Sequence, residues 1–115
     1  MTLTEKTKEL VERFFTARMN RDGAGVKACL IVAPRFSGPV TYADADAYAE
    51  RCELGPGLDG VRGVSILVDG QEAAVFYELP RNGTIVRVAE QIIVVEGFIA
   101  EVRVLAEPAA ALAAA

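Results

Sequence analysis

Apolar and polar positions alternate through the second half of the chain. From Thr84 to Val95 one set of alternate residues is Val86, Val88, Glu90, Ile92 and Val94, and the other is Ile85, Arg87, Ala89, Gln91, Ile93 and Val95. The same period predicts strands over Val61 to Val68, Glu72 to Leu79, Arg81 to Val95 and Phe98 to Ala106. They are joined at Asp69-Gly70, at Pro80 with Asn82-Gly83, and at Glu96-Gly97, all of which accept turn geometry. An antiparallel meander is expected. The first half follows a helical period instead. Thr2 and Glu5 have capping-box spacing, and Leu3, Leu10, Val11, Phe14 and Phe15 form an apolar stripe that predicts a helix over about Leu3 to Met19. A short second helix is expected over about Ala24 to Ile31, ending near Ala33 because Pro34 disfavours helical geometry before it. A short strand is expected from Phe36 to Val40. A third helix, capped by Thr41 or Asp44, runs to about Leu54, with Ala45, Tyr48, Ala49 and Cys52 inward. The layout is α+β, three N-terminal helices followed by an antiparallel sheet. It forms one domain over residues 1–106, and an alanine-rich tail occupies 107–115.

Composition narrows the function classes. The 115 residues carry 12 Lys plus Arg against 16 Asp plus Glu, and a net charge of −4 gives no electrostatic footprint for nucleic acid or an anionic membrane. No run approaches the roughly 18 apolar residues of a membrane span, and the start, rich in Thr, Lys and Glu, lacks the apolar core of a signal peptide. A cytoplasmic protein is expected. Cys29 and Cys52 then read as small buried residues. The chain has no histidine, so neither cysteine has that base available, and no clustered Cys or Asp ligands predict a metal or other cofactor. Gly55-Pro56-Gly57-Leu58-Asp59-Gly60 satisfies G-x-G-x-x-G in letter only, since it leaves a helix and enters a strand, the reverse of a dinucleotide site. Asn82-Gly83-Thr84 matches a glycosylation sequon, yet reads better as a hairpin turn.

The candidate chemistry centres on Glu90. An acid on an otherwise aliphatic face either tunes a bound ligand or needs a hidden partner, because an unpaired buried charge is costly. Val88 and Ile92 flank it as pocket wall, with Val75 and Val102 on the neighbouring strands. Tyr77, with Val75 and Leu79, alternates against Phe76 and Glu78, which points its phenol inward towards Glu90 or a ligand. Tyr42 and Tyr48 flank the start of the third helix, where they can line a mouth. On the opposite face Ile85, Ala89, Ile93 and Val95 leave an apolar patch that predicts a homodimer through the sheet.

Three helices followed by this long hairpin, with Val11-Glu12-Arg13-Phe14-Phe15, the Asn20 to Gly23 break and the run Arg87 to Arg103, resemble the nuclear transport factor 2-like superfamily. That superfamily includes the SnoaL-like polyketide cyclases and ketosteroid isomerases. The resemblance implies a cone-shaped, cystatin-like roll whose open end holds a small apolar molecule. It places Glu90 where the isomerases carry a protonated oxyanion-hole acid, the handling of a carboxyl known from that enzyme. It places Phe15 about where they carry the hydroxyl donor. Where they carry the aspartate base this chain reads Phe36-Ser37-Gly38-Pro39-Val40. An acid and arginine cluster would need Arg35 or Arg62 beside Glu90, and a substitute acid would come from Asp44, Asp46 or Glu53. Two functions stay open. One is binding of a small hydrophobic metabolite without the standard isomerase base. The other is an isomerase, cyclase or dehydratase using Glu90 as general acid or oxyanion donor, with Tyr77 assisting.

Overall fold

A computed structural model describes residues 1–113. The element order is α1 (Leu3–Met19), α2 (Gly23–Ala28), β1 (Leu30–Ser37), α3 (Ala45–Leu54), β2 (Arg62–Asp69), β3 (Glu72–Arg81), β4 (Thr84–Val95), β5 (Phe98–Glu107) and α4 (Ala109–Ala113). The capping box at Thr2 and Glu5 forms with both of its hydrogen bonds, and Asp44 caps α3 by accepting from the Ala47 amide. The strands make one sheet in the order β1-β5-β4-β3-β2. From β2 to β5 it is the expected meander, and α1 crosses its inner face against β2 and β3.

The chain between Ala28 and Gly38 departs from expectation. The second helix stops at Ala28, and Leu30 already stands opposite Ile99 at the start of a strand that runs parallel to β5. The free edge of β5 supplies the reason. Its Ile99 amide donates to the Cys29 carbonyl, and Leu30 buries its side chain where a further helical turn would leave that edge unpaired. The sheet is therefore mixed. Pro34 lies inside β1, where an edge strand tolerates a residue without an amide hydrogen, and the register slips between Leu30 and Arg35. The strand ends at Ser37 because Gly38 takes a positive φ of 134°, and a Cβ there would stand 2.5 Å from the Val104 carbonyl oxygen.

The inner faces of the sheet and helices share one core. Val86, Val88, Ile92 and Val94 of β4 are buried with Val75 and Leu79 of β3, and Phe14, Val11 and Leu10 of α1 close over them. Glu90 shares that face and is 1% exposed. Asn82 and Gly83 both take positive φ in the β3–β4 turn, as a two-residue hairpin of the favoured type requires. In α4, Ala111 and Leu112 are half-buried against the core.

Candidate functional site

Three elements converge on Glu90. In β4 it stands opposite Val75 on β3 and Val104 on β5, so it lies mid-sheet on the concave side. Tyr77 is two residues along β3 from Val75 and therefore its diagonal neighbour; its hydroxyl donates a short hydrogen bond to Glu90 Oε2. Arg18, from the last turn of α1, closes the cluster. Its Nη1 donates to Oε1 and its Nη2 to Oε2, each at 2.9 Å, and Nη2 also reaches the Tyr77 oxygen at 3.4 Å. This is a bidentate guanidinium–carboxylate pair, with side-chain exposures of 11% for Arg18 and 0% for Glu90.

Arg18 is the hidden partner that the lone acid required. It was missed because it lies 72 positions away in the chain. A local signal existed nonetheless. Arg18 follows Phe14 by four residues and Phe15 by three, so it continues the apolar stripe of α1 instead of facing water. Its Cζ lies 5.4 Å from the centre of each ring. Phe15 also meets Tyr77 edge-on at 5.4 Å. The other proposed partners lie elsewhere. Arg62 pairs with Glu78 on an exposed part of the sheet, and Arg35 is on β1, in register with Glu101. Of the substitute acids, Asp44 is spent as a helix cap, Asp46 pairs with exposed Lys27, and Glu53 packs over Gly23.

Beside Arg18 and Tyr77 lies a cavity of about 100 Å³. Arg18, Arg51 and the phenols of Tyr42, Tyr48 and Tyr77 supply its polar wall, while Cys52, Leu58, Leu79 and Leu112 supply the rest. Glu90 is not on this wall, nor are Phe15, Val75, Val88, Ile92 or Val102. The four aliphatics expected to contact a ligand are instead packed into the core, 4% exposed or less. Phe36 and Phe14 stack on either side of Tyr48, with centroids at 4.5 and 6.0 Å, and Tyr42 stands edge-on to both Phe36 and Tyr48. The glycine-rich loop after α3 forms part of the rim through Gly57 and Leu58. It is held there by the Arg81 guanidinium, which donates to the Gly57 and Asp59 carbonyls.

Burial sets the titration of the wall. It is the largest influence on Arg18 and disfavours its charge, but the charge and hydrogen bonds of Glu90, together with Tyr48 and Tyr77, outweigh it and hold the guanidinium well above the ordinary arginine range. Burial, reinforced by the Glu90 charge, raises Tyr77. Burial also raises Tyr42 and Tyr48 despite the opposing pull of Arg51 and Arg18 respectively. All three remain neutral donors at physiological pH.

Comparison with known proteins supports the fold. No family model matches the chain, and no curated protein matches it in sequence. Among solved structures, a candidate ketosteroid isomerase from Kribbella flavida superposes with a TM-score of 0.78 at 24% identity, covering 92% of this chain and 81% of that one. A nuclear transport factor 2-like protein of unknown function from Cytophaga hutchinsonii gives 0.76 at 20% identity, over 89% and 90%. A protein of unknown function with a cystatin-like fold from Methylobium petroleophilum gives 0.75 at 17% identity, over 90% and 76%. The chain therefore has the nuclear transport factor 2-like, cystatin-like fold.

Two outcomes follow from the buried cluster. Glu90→Gln leaves a buried guanidinium without its counter-charge and should lower stability by about 3–5 kcal/mol, whereas the double change Arg18→Met with Glu90→Leu should recover most of the loss. Urea unfolding of the three proteins measures both. The second concerns alkaline pH. Because the folded tyrosines ionise above the unfolded value of about 10, the native state holds more protons, so stability is intact below pH ~10 and falls as pH rises beyond it. The chain has only these three tyrosines. Phenolate absorbance should thus appear together with loss of the far-ultraviolet circular dichroism, not before it.

Proposed function

We propose that the chain is a small-molecule-binding protein of the SnoaL-like type that lacks the standard isomerase base and holds a compact, apolar-bodied ligand beside Arg18. The observation that carries this reading is the bidentate Arg18–Glu90 pair. Both Glu90 oxygens accept hydrogen bonds from Arg18 or Tyr77, and the carboxyl is off the cavity wall. Among the described residues, none of those lining the cavity is an acid or a histidine, which leaves no general base in reach of a bound molecule. Leu58, Leu79 and Leu112 suit an apolar body, and the phenols and guanidinium suit one oxygen-bearing end. The buried free thiols of Cys29 and Cys52 support a reducing, cytoplasmic setting.

Because every tyrosine of the chain borders the cavity, occupancy must disturb the tyrosine spectrum. Native mass spectrometry of protein taken from cell extract should show a small-molecule adduct, and stripping it should change the tyrosine fluorescence. Isomerisation of a β,γ-unsaturated ketone should not exceed the buffer rate. Turnover abolished by Tyr77→Phe would establish the enzymatic alternative. No adduct and no spectral response to any small molecule would mean a closed core.

The outer sheet face supports a homodimer. In register across three strands lie Phe76, Ala89 and Leu105, with Phe76 45% and Leu105 75% exposed. The adjacent row, Arg62, Glu78, Arg87 and Glu107, alternates in sign and pairs within the chain at 3.2 and 3.5 Å. The apolar row is therefore the seat of the contact and Arg87 its rim. Ile93 stands between Glu72 and Glu101, so a lysine there would be neutralised in its own sheet. Leu105→Lys is the sharper disruption: light scattering at micromolar concentration should read a dimer for the unaltered protein and a monomer for this variant. A monomeric unaltered protein would rule the dimer out.

A further inference from the structure

We propose that α4 is the gate of the cavity beside Arg18 and that Leu112 is its latch, so that a ligand enters only when Leu112 leaves its place in the wall. The inference rests on the reading of the chain as a binding protein and adds how that site is opened.

Three observations carry it. The closed cavity is small. At about 100 Å³ it holds a few waters, whereas cavities that bury a small molecule run from roughly 300 to 1,000 Å³, so a ligand with an apolar body needs part of the wall to move. Next, the other sides of the cavity are tied. Arg18 is held by both Glu90 oxygens, Tyr48 lies between the stacked rings of Phe36 and Phe14, and the rim loop at Gly57 hangs on the Arg81 guanidinium. The helix α4 is the exception. It packs on β4 and β5 with the sequence Ala-Ala-Ala-Leu-Ala, in which no side chain can hydrogen-bond and only Leu112 is larger than a methyl group. Five residues are too few for a helix to persist alone, so α4 stays docked through Leu112, half-buried against the core with Ala111 beside it. Finally, that same leucine lines the cavity. Undocking α4 therefore breaks one large apolar contact and takes away a piece of the wall, while the Arg18–Glu90 pair and the rest of the core stay as they are.

The two native thiols supply the test, because both are buried and they lie on different cavities. Cys52 shares the cavity with Leu112, whereas Cys29 borders a separate one between α1 and α2. Burial raises both thiols above the ordinary cysteine range, so each reacts only when uncovered. Labelling by N-ethylmaleimide, read at each cysteine by mass spectrometry of the digested protein, should be at least tenfold faster at Cys52 in Leu112→Ala than in the unaltered protein. Cys29 should keep its rate within twofold, and Leu112→Met, which preserves the volume of the latch, should label Cys52 at the unaltered rate. If Leu112→Ala leaves Cys52 unchanged, the way in lies elsewhere and the gate is wrong. If both cysteines accelerate together, α4 supports the whole fold and is no gate. Failure of the binding function reads differently: stripping the protein of small molecules would leave Cys52 labelling as it was, while the acceleration by Leu112→Ala persisted.

Discussion

A guanidinium and a carboxylate face each other in the interior of a small apolar roll, and most of the local geometry answers to that pairing. Either charge alone would carry a desolvation cost of several kcal/mol, so the folded state is confined to arrangements that bring Arg18 and Glu90 together. With Arg18 in the last turn of α1 and Glu90 in mid-strand on β4, the pair fixes where along the sheet that helix ends. Tyr77 is then required as well, because its hydroxyl supplies a third polar neighbour to a carboxylate that water does not reach. The rings of Phe14 and Phe15, one helical turn back, cover the guanidinium with π faces and so replace part of its lost hydration.

That constraint separates the parts of the inner face. Above and below Glu90 the wall of β4 is aliphatic and packed, and Val88 and Ile92 serve the core with no vacant space in front of them. The open space lies to the side, between the end of α1, the face of α3 and the loop that Arg81 holds in place. Solved structures of the same fold include one candidate isomerase and others of unknown function, so the roll by itself assigns no chemistry. What the cavity presents is set by the order of groups from its wall inward, with Arg18 bordering it and Glu90 behind.

Much of the fold could be read from the chain because its signals are local. The alternation in β4 sorted Val86, Val88, Glu90, Ile92 and Val94 inward, and the burial of those five follows it. Thr2, Glu5 and Asp44 marked helix starts because a cap is a contact across three residues. The strand β1 was legible only in part. Its partner β5 is some seventy positions on, and Pro34 reads as a helix stop whether a strand or a loop follows. At the site, Glu90 and its contact with Tyr77 could be reached from strand alternation. The Arg18 contact could not, since no periodicity links a helix end to a distant strand. The aliphatic neighbours of Glu90 were read as ligand contacts because a strand pattern reveals which way a side chain points but not whether space remains in front of it.

The inversion of expected roles follows from the same limit. A carboxyl on an apolar wall, taken alone, suggests a neutral acid facing a ligand, as in an oxyanion hole. Once a guanidinium is interposed, the carboxyl becomes the anchor and the cation becomes the face presented to the cavity. Its counter-charge is buried and directional, so the cation keeps its orientation without a ligand, and three desolvated phenols beside it remain hydrogen-bond donors far above neutral pH. Such a wall is rich in donors and poor in acceptors.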